Sequence, residues 1–147
     1  MLVKTPITWL GMLRIYAVSV TALHFGWELL QLPLYTIWRT ASMRELAFAI
    51  VHCTAGDLLI ATGCLFAALL LAGAPDWPNA HFKQVGLLTV LLGLAYTGYS
   101  EWHNTVVKQT WTYTASMPTI FGIGWAPLAQ WLIVPLGAFW VLHRRLD

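Results

Sequence analysis

Four apolar stretches, residues 15–37, 46–73, 85–107 and 120–142, leave this chain few folds to choose from. Each is at least as long as the roughly 20 residues a helix needs to cross about 30 Å of hydrocarbon. A closed barrel is the other structure that satisfies its own backbone in lipid, but none of the stretches shows the two-residue alternation of a barrel strand. The pattern predicts an all-α polytopic membrane protein, a single four-transmembrane-helix bundle with short loops. Composition agrees: of 147 residues, 59% are hydrophobic and only 10% charged, against about a quarter charged in a soluble domain. Val20-Thr21-Ala22 has the form of a signal-peptide cleavage site downstream of Lys4. The apolar stretch runs on to Ile37, however, which marks a first membrane helix instead.

Polar breaks separate the stretches. Residues 39–45 join the first two, residues 74–79 form a short turn before the third, and residues 104–118 make the longest connection. With four spans both termini lie on one side, together with Lys4, Arg14, Lys83, Arg144 and Arg145; the other side holds Arg39, Arg44 and Lys108. The excess of lysine and arginine places both termini in the cytoplasm, in an inner (cytoplasmic) membrane. Trp9, Trp38, Trp77, Trp111 and Trp140 fall near span ends, where interfacial anchors belong. The net charge of +2, with no basic run, gives nucleic-acid binding no electrostatic support. Cys53 and Cys64 lie eleven residues apart in one helix, about 16 Å, too far for a disulfide.

Ionisable side chains inside a membrane are costly and mark function by default. His24, Glu28 and Gln31 recur at i, i+4 and i+7, hence on one helix face. The second stretch holds His52 and Asp57, the third Tyr96, Tyr99, Ser100, Glu101 and His103, and the fourth Gln130 behind Gly122, Gly124 and Pro127. With the helices alternating in direction, all these groups fall between the midplane and the outer interface. The opposite halves, such as residues 65–71 and 87–94, are nearly pure hydrocarbon.

The expected site is therefore in the outer leaflet, with Glu28, Glu101 and Asp57 as its acid–base carboxylates. Gln31, Tyr99, Ser100, Trp125 and Gln130 are the candidates for binding substrate. His24, Glu28 and His52 are the candidate ligands of a divalent transition metal, since imidazole and carboxylate suit such ions. No HExxH or comparable box accompanies them. His52 and Asp57 stand about 140° apart on the helical wheel and Glu101 and His103 about 200°, so both members of a pair face one centre only if the helix is distorted or the centre is wide. Of the second pair, Glu101 is expected inward and His103 at the interface.

The leading expectation is a small enzyme acting on a lipid or isoprenoid, metal-assisted or driven by proton transfer from a carboxyl group to a double bond. The same residues also fit a non-catalytic subunit of a membrane complex, with a partner, haem or pigment on its polar face, a homo-oligomer, or a polar cluster that only holds helices together. Three buried carboxylates exceed what such gluing requires. Residues 121–127 make a poor helix interior and are expected as a non-helical lead-in, its free N–H groups turned to the cluster; Pro33 and Pro135 are expected to bend their helices.

Overall fold

A computed structural model describes residues 8–146; Lys4 lies outside them. Helix α1 (Trp9–Gln31) starts at Thr8, whose side chain accepts the Gly11 N–H at 3.1 Å. It begins six residues earlier than the apolar pattern suggested. Pro33 breaks it outright instead of bending it: a 3₁₀ turn spans Leu32–Leu34, followed by the one-turn helix α2 (Ile37–Thr40). Helix α3 (Met43–Ala72) opens with a capping box, the Ser42 N–H donating to Glu45 Oε2 at 2.8 Å while Ser42 Oγ accepts the Glu45 N–H. It stops at Gly73, whose φ of 56° is the left-handed conformation glycine tolerates. Helix α4 (Phe82–Trp102) widens at its end into a π turn over His103–Val107.

Helix α5 (Trp125–Leu146) runs through Pro135 without interruption. Residues 119–124 do not belong to it. Strands β1 (Thr119–Ile120) and β2 (Ile123–Gly124) pair in antiparallel register around Phe121 and Gly122, both at positive φ. This hairpin supplies part of the non-helical lead-in expected over residues 121–127; α5 already begins at Trp125, with Pro127 in its first turn.

Four long helices pack in a ring: α1 against α3 and α5, and α4 against the same two. Among the described residues the chain is otherwise turns and loops, and Cys53 and Cys64 are free thiols. Two helices, α3 and α5, are long and apolar enough to cross a membrane, with mean hydropathies of 2.0 and 1.5. Helices α1 and α4 have 23 and 21 residues, length enough for about 30 Å of hydrocarbon, but their inward faces carry the polar residues that lower their hydropathy.

Those inward faces change character along their length. On α1 the buried stripe reads Met12, Tyr16, Val20, then His24, Glu28, Gln31. On α4 it reads Val85, Thr89, Gly93, then Thr97 and Glu101. The half near the termini is an apolar core built on Met12, Val20, Leu65, Val85, Val134 and Leu142, closed at its end by the buried Trp77 of the α3–α4 loop. Trp131 floors the other half. Its indole fills the space beside Gly93, where a Cβ would come within 2.4 Å of it, and its ring centroid sits 5.0 Å from that of His24.

Candidate functional site

Above that floor a hydrogen-bonded cluster occupies the interior. Its orientation can be worked out from one donor. The Trp27 indole N–H can only donate, and it reaches Gln31 at 3.2 Å, so that end of the Gln31 amide is oxygen. The Gln31 nitrogen then faces inward and donates to Glu28 Oε1 at 2.8 Å and to Gln130 Oε1 at 3.2 Å. This turns the Gln130 nitrogen to the centre. There it lies 2.9 Å from His24 Nδ1, 3.0 Å from Glu28 Oε1 and 2.9 Å from Asp57 Oδ2. His24 Nδ1 also stands 3.3 Å from Asp57 Oδ2. Three helices thus meet at one amide group: α1 with His24, Glu28 and Gln31, α3 with Asp57, α5 with Gln130.

A second polar layer lies toward the open end. The Tyr113 hydroxyl donates to the Glu101 carboxylate and accepts the Gly124 N–H at 3.0 Å. Burial first, and then the Glu101 carboxylate it faces, raise the Tyr113 phenol above its ordinary range, which keeps it a donor. Glu101 is within electrostatic reach of Asp57, and Glu28, Asp57 and Glu101 all act on the Cys53 thiol, so the two layers adjoin.

The long connection, residues 104–118, covers this end. Tyr113 bridges to Tyr35, the Thr114 N–H donates to Leu34 O at 2.9 Å, the Thr36 N–H donates to Thr112 O at 3.0 Å, and the hydroxyls of Thr36 and Thr112 meet at 2.7 Å. Thr114 and Met117 are buried beneath it. Gly124 has no side chain because Tyr113 and Met117 occupy that space; a Cβ there would sit 3.0 Å from the Tyr113 ring.

Five of the residues singled out in the sequence therefore converge: His24, Glu28, Gln31, Asp57 and Gln130. Glu101 joins them one layer away, facing inward as expected. The others do not. His52 is exposed and stacks on Phe48 at 5.5 Å; with Asp57 turned inward, the 140° between them carries His52 outward. The ligand set His24, Glu28 and His52 is corrected accordingly: its third member is on the outside. Among the described residues no three His, Cys, Asp or Glu side chains are grouped to hold a metal ion.

Tyr99 is 60% exposed and stacks on His103, and Trp125 is exposed at the first turn of α5. Ser100 accepts from Asn104 Nδ2 at 3.3 Å and serves the π turn. None of these three candidates for binding substrate is part of the cluster: Glu101 fixes which face of α4 is inward, with Tyr99 and Ser100 about 200° and 100° from it, and on α5 Trp125 is about 140° from Gln130.

Sequence reasoning missed Tyr113, Trp131 and Gly93 as builders of the site. No spacing could place Tyr113 on Glu101 across the 104–118 connection, and the Gly93–Trp131 fit joins two helices at positions that read as plain apolar interior.

Three buried polar atoms lack a hydrogen-bond partner among the described residues, His24 Nε2, Thr54 Oγ1 and Trp77 Nε1, while the equally buried Trp111 Nε1 lies toward the Glu101 carboxylate. Trp77 plugs the apolar end; His24 belongs to the cluster, Thr54 precedes Asp57 by one turn of α3, and Trp111 sits in the covering segment. Two open grooves lie elsewhere, one of about 200 Å³ between α1 and α3 at Leu13, Tyr16 and Leu65, another along the outside of α1 from Ala17 to Phe25. The chain matches no protein-family model, and no curated protein and no solved structure is significantly similar to it.

Proposed function

We propose that this chain is an inner-membrane protein of four spans, α1, α3, α4 and α5, and that its polar half is an acid–base site for a lipid or isoprenoid substrate. The distribution of side chains supports the spans. Leu10, Val18, Leu23, Leu29 and Leu30 of α1 and Leu87 and Leu91 of α4 face outward, as do Leu59, Leu70 and Leu71 of α3 and Leu132, Ile133 and Leu136 of α5. Polar side chains inside and hydrocarbon outside along the middle of every long helix is the arrangement lipid requires and water disfavours. Both termini are cytoplasmic in this reading, which puts the cluster in the outer leaflet.

The observation that carries the chemistry is the Gln130 nitrogen held between Glu28, Asp57 and His24. Two carboxyl groups and an imidazole on neutral amide donors form a set that can hold, give and take protons in a dry interior. One carboxyl group would deliver a proton to a substrate double bond, and the other would face the positive charge that develops on carbon. His24 or the second carboxylate would remove the proton that ends the reaction. The covering segment excludes water while this happens.

The test is a lipid profile of membranes carrying the wild type, Glu28→Gln or Asp57→Asn. The expected result is one apolar species that changes with the wild type and is lost, by about a hundredfold or more, with either variant. A profile indifferent to all three proteins sinks the acid–base reading. One observation favours the alternative of a non-catalytic subunit: the cluster is almost fully hydrogen-bonded within itself. A stoichiometric membrane partner that co-purifies with the wild type and is lost in the Gln130→Leu variant supports that alternative.

A further inference from the structure

The half of the molecule near the termini carries a charge that nothing in the fold uses. Arg14 is exposed on α1, six residues after the Thr8 cap and so about 9 Å into the helix. It makes no hydrogen bond or ion pair among the described residues. Beside it lies the groove of about 200 Å³, walled by Leu13 and Ala17 of α1 and by Leu65 and Phe66 of α3, with Trp9 packed on Phe66 at a centroid distance of 6.5 Å. No acidic side chain lines it among the described residues. At Ala17 this groove meets the second one, which follows α1 past Thr21 to Phe25. The hydroxyls along both are already bonded: Tyr16 donates to Ala61 O at 3.1 Å, Thr62 to Leu58 O at 2.7 Å and Thr21 to Ala17 O at 2.7 Å. The surface left over is a hydrocarbon furrow with one cation at its end. From Leu13 to Phe25 it runs about 18 Å, close to the roughly 15 Å depth of one leaflet's hydrocarbon.

We infer that this furrow holds one anionic phospholipid of the leaflet on the side of the termini, its phosphate on the Arg14 guanidinium and one acyl chain along Ala17, Thr21 and Phe25. The inference rests on α1 and α3 spanning the membrane; it does not use the acid–base reading, whose residues lie in the other half. The furrow has the polarity of such a lipid. Side chains on a helix lean toward its N-terminus, so Arg14 leans out of the hydrocarbon toward the interface where phosphates lie, and the apolar part of the furrow runs from it toward the midplane. A guanidinium within a span is costly without a counter-charge. The groove supplies none, and a phosphate matches the planar fork of arginine with two parallel hydrogen bonds. A zwitterionic head group would bring its own cation to a site with no carboxylate to receive it, which favours a lipid of net negative charge.

The experiment titrates the full-length protein in detergent micelles with palmitoyl-oleoyl phosphatidylglycerol, and separately with the phosphatidylcholine of the same chains, counting bound lipid by native mass spectrometry. The expected result is one phosphatidylglycerol held about fivefold more tightly than phosphatidylcholine. Arg14→Gln removes that preference, whereas Arg145→Gln, the same change at the exposed end of α5, keeps it. Ala17→Phe, which fills the junction of the two grooves, weakens binding of both lipids. Inorganic phosphate at the lipid concentration displaces neither. Equal affinity for the two lipids overturns the inference, and that comparison needs the wild type alone. A preference that survives Arg14→Gln, or one that Arg145→Gln abolishes equally, overturns it too, as does displacement by free phosphate. A protein that stays monodisperse without detergent removes the spans and this site together. A lipid profile unchanged by Glu28→Gln overturns the acid–base reading and leaves the furrow as it is.

Discussion

The two halves of the interior are held together by different forces. Near the termini the helices meet through shape: Phe139 lies against Gly86, Tyr16 and Phe82, and Ala61, Leu65 and Ala68 are fully buried without a charge among them. Toward the covering segment they meet through hydrogen bonds among Gln31, Glu28, Gln130, Asp57 and His24. In lipid this difference has a consequence it would lack in water. Apolar side chains gain little by leaving hydrocarbon for a hydrocarbon interior, so the first half rests on packing and on the hydrogen bond that the Tyr16 hydroxyl donates to Ala61 O at 3.1 Å, whereas an unpaired polar group in the second half has no water to turn to.

The contrast is tested most severely at Gln130. Gln130→Leu removes the donor shared by two carboxylates and the acceptor of Gln31, and the expected loss is about 3–5 kcal/mol. Leu65→Ala, at an equally buried position of the apolar half, is expected to cost about 2 kcal/mol, the low end of the range for such deletions because only packing is lost. Thermal unfolding of both variants in one detergent gives the comparison. Equal losses would mean that the polar half is no more demanding than the apolar one.

The boundary between the halves comes next. Gly93→Ala puts a methyl group 2.4 Å from the Trp131 indole, and overpacking of this kind costs about 1–3 kcal/mol. Because Trp131 also packs against His24, with ring centroids 5.0 Å apart, the variant should also shift the NMR signals of the His24 ring. A destabilised protein with unchanged His24 signals would separate the floor from the site.

The covering segment sharpens the contrast within the polar half. Tyr113→Phe leaves Glu101 and the Gly124 N–H without their common partner, a loss of about 1–2 kcal/mol confined to residues 104–124. Hydrogen exchange should quicken there and stay slow at the centre of α3. The sign of the pH effect follows from the raised Tyr113 phenol. Its contribution is complete below about pH 10, where an unfolded tyrosine titrates, and is lost only as pH rises further. The Tyr113 contribution to protection of this segment, taken as the difference between the wild type and Tyr113→Phe, should therefore stay constant from about pH 7 to 9. A fall of that difference within the window would assign the closure to another group.

Much of this arrangement is legible in residue order, and the parts that are not have identifiable reasons. The i, i+4, i+7 spacing of His24, Glu28 and Gln31 is enough to put them on one face, and the clustering of polar groups toward one end of every helix survives in the fold. The wheel angle between His52 and Asp57 says that a regular helix cannot turn both to a narrow centre, but not which of them faces it; that needs Gln130, 73 residues further along the chain. Whole-segment hydropathy is lower for α1 and α4 than for α3 and α5, because it averages an oily outside with a polar inside. Tyr113 is out of reach altogether: it meets Glu101 only because residues 104–118 fold back over the bundle onto residues 34–36.

The smallest expected effect isolates packing from everything else. Gly98 lies on α4 five residues beyond Gly93, and a Cβ built there meets nothing within 4 Å. Alanine is the better helix former, so Gly98→Ala should stabilise by up to about 1 kcal/mol. Gly93→Ala brings the same gain in helix propensity and should still lose stability. The two substitutions are chemically identical and share one helix, so the difference between them measures the Trp131 contact alone. If both stabilise, Trp131 has room to move, and the floor that divides the apolar half from the polar half is soft.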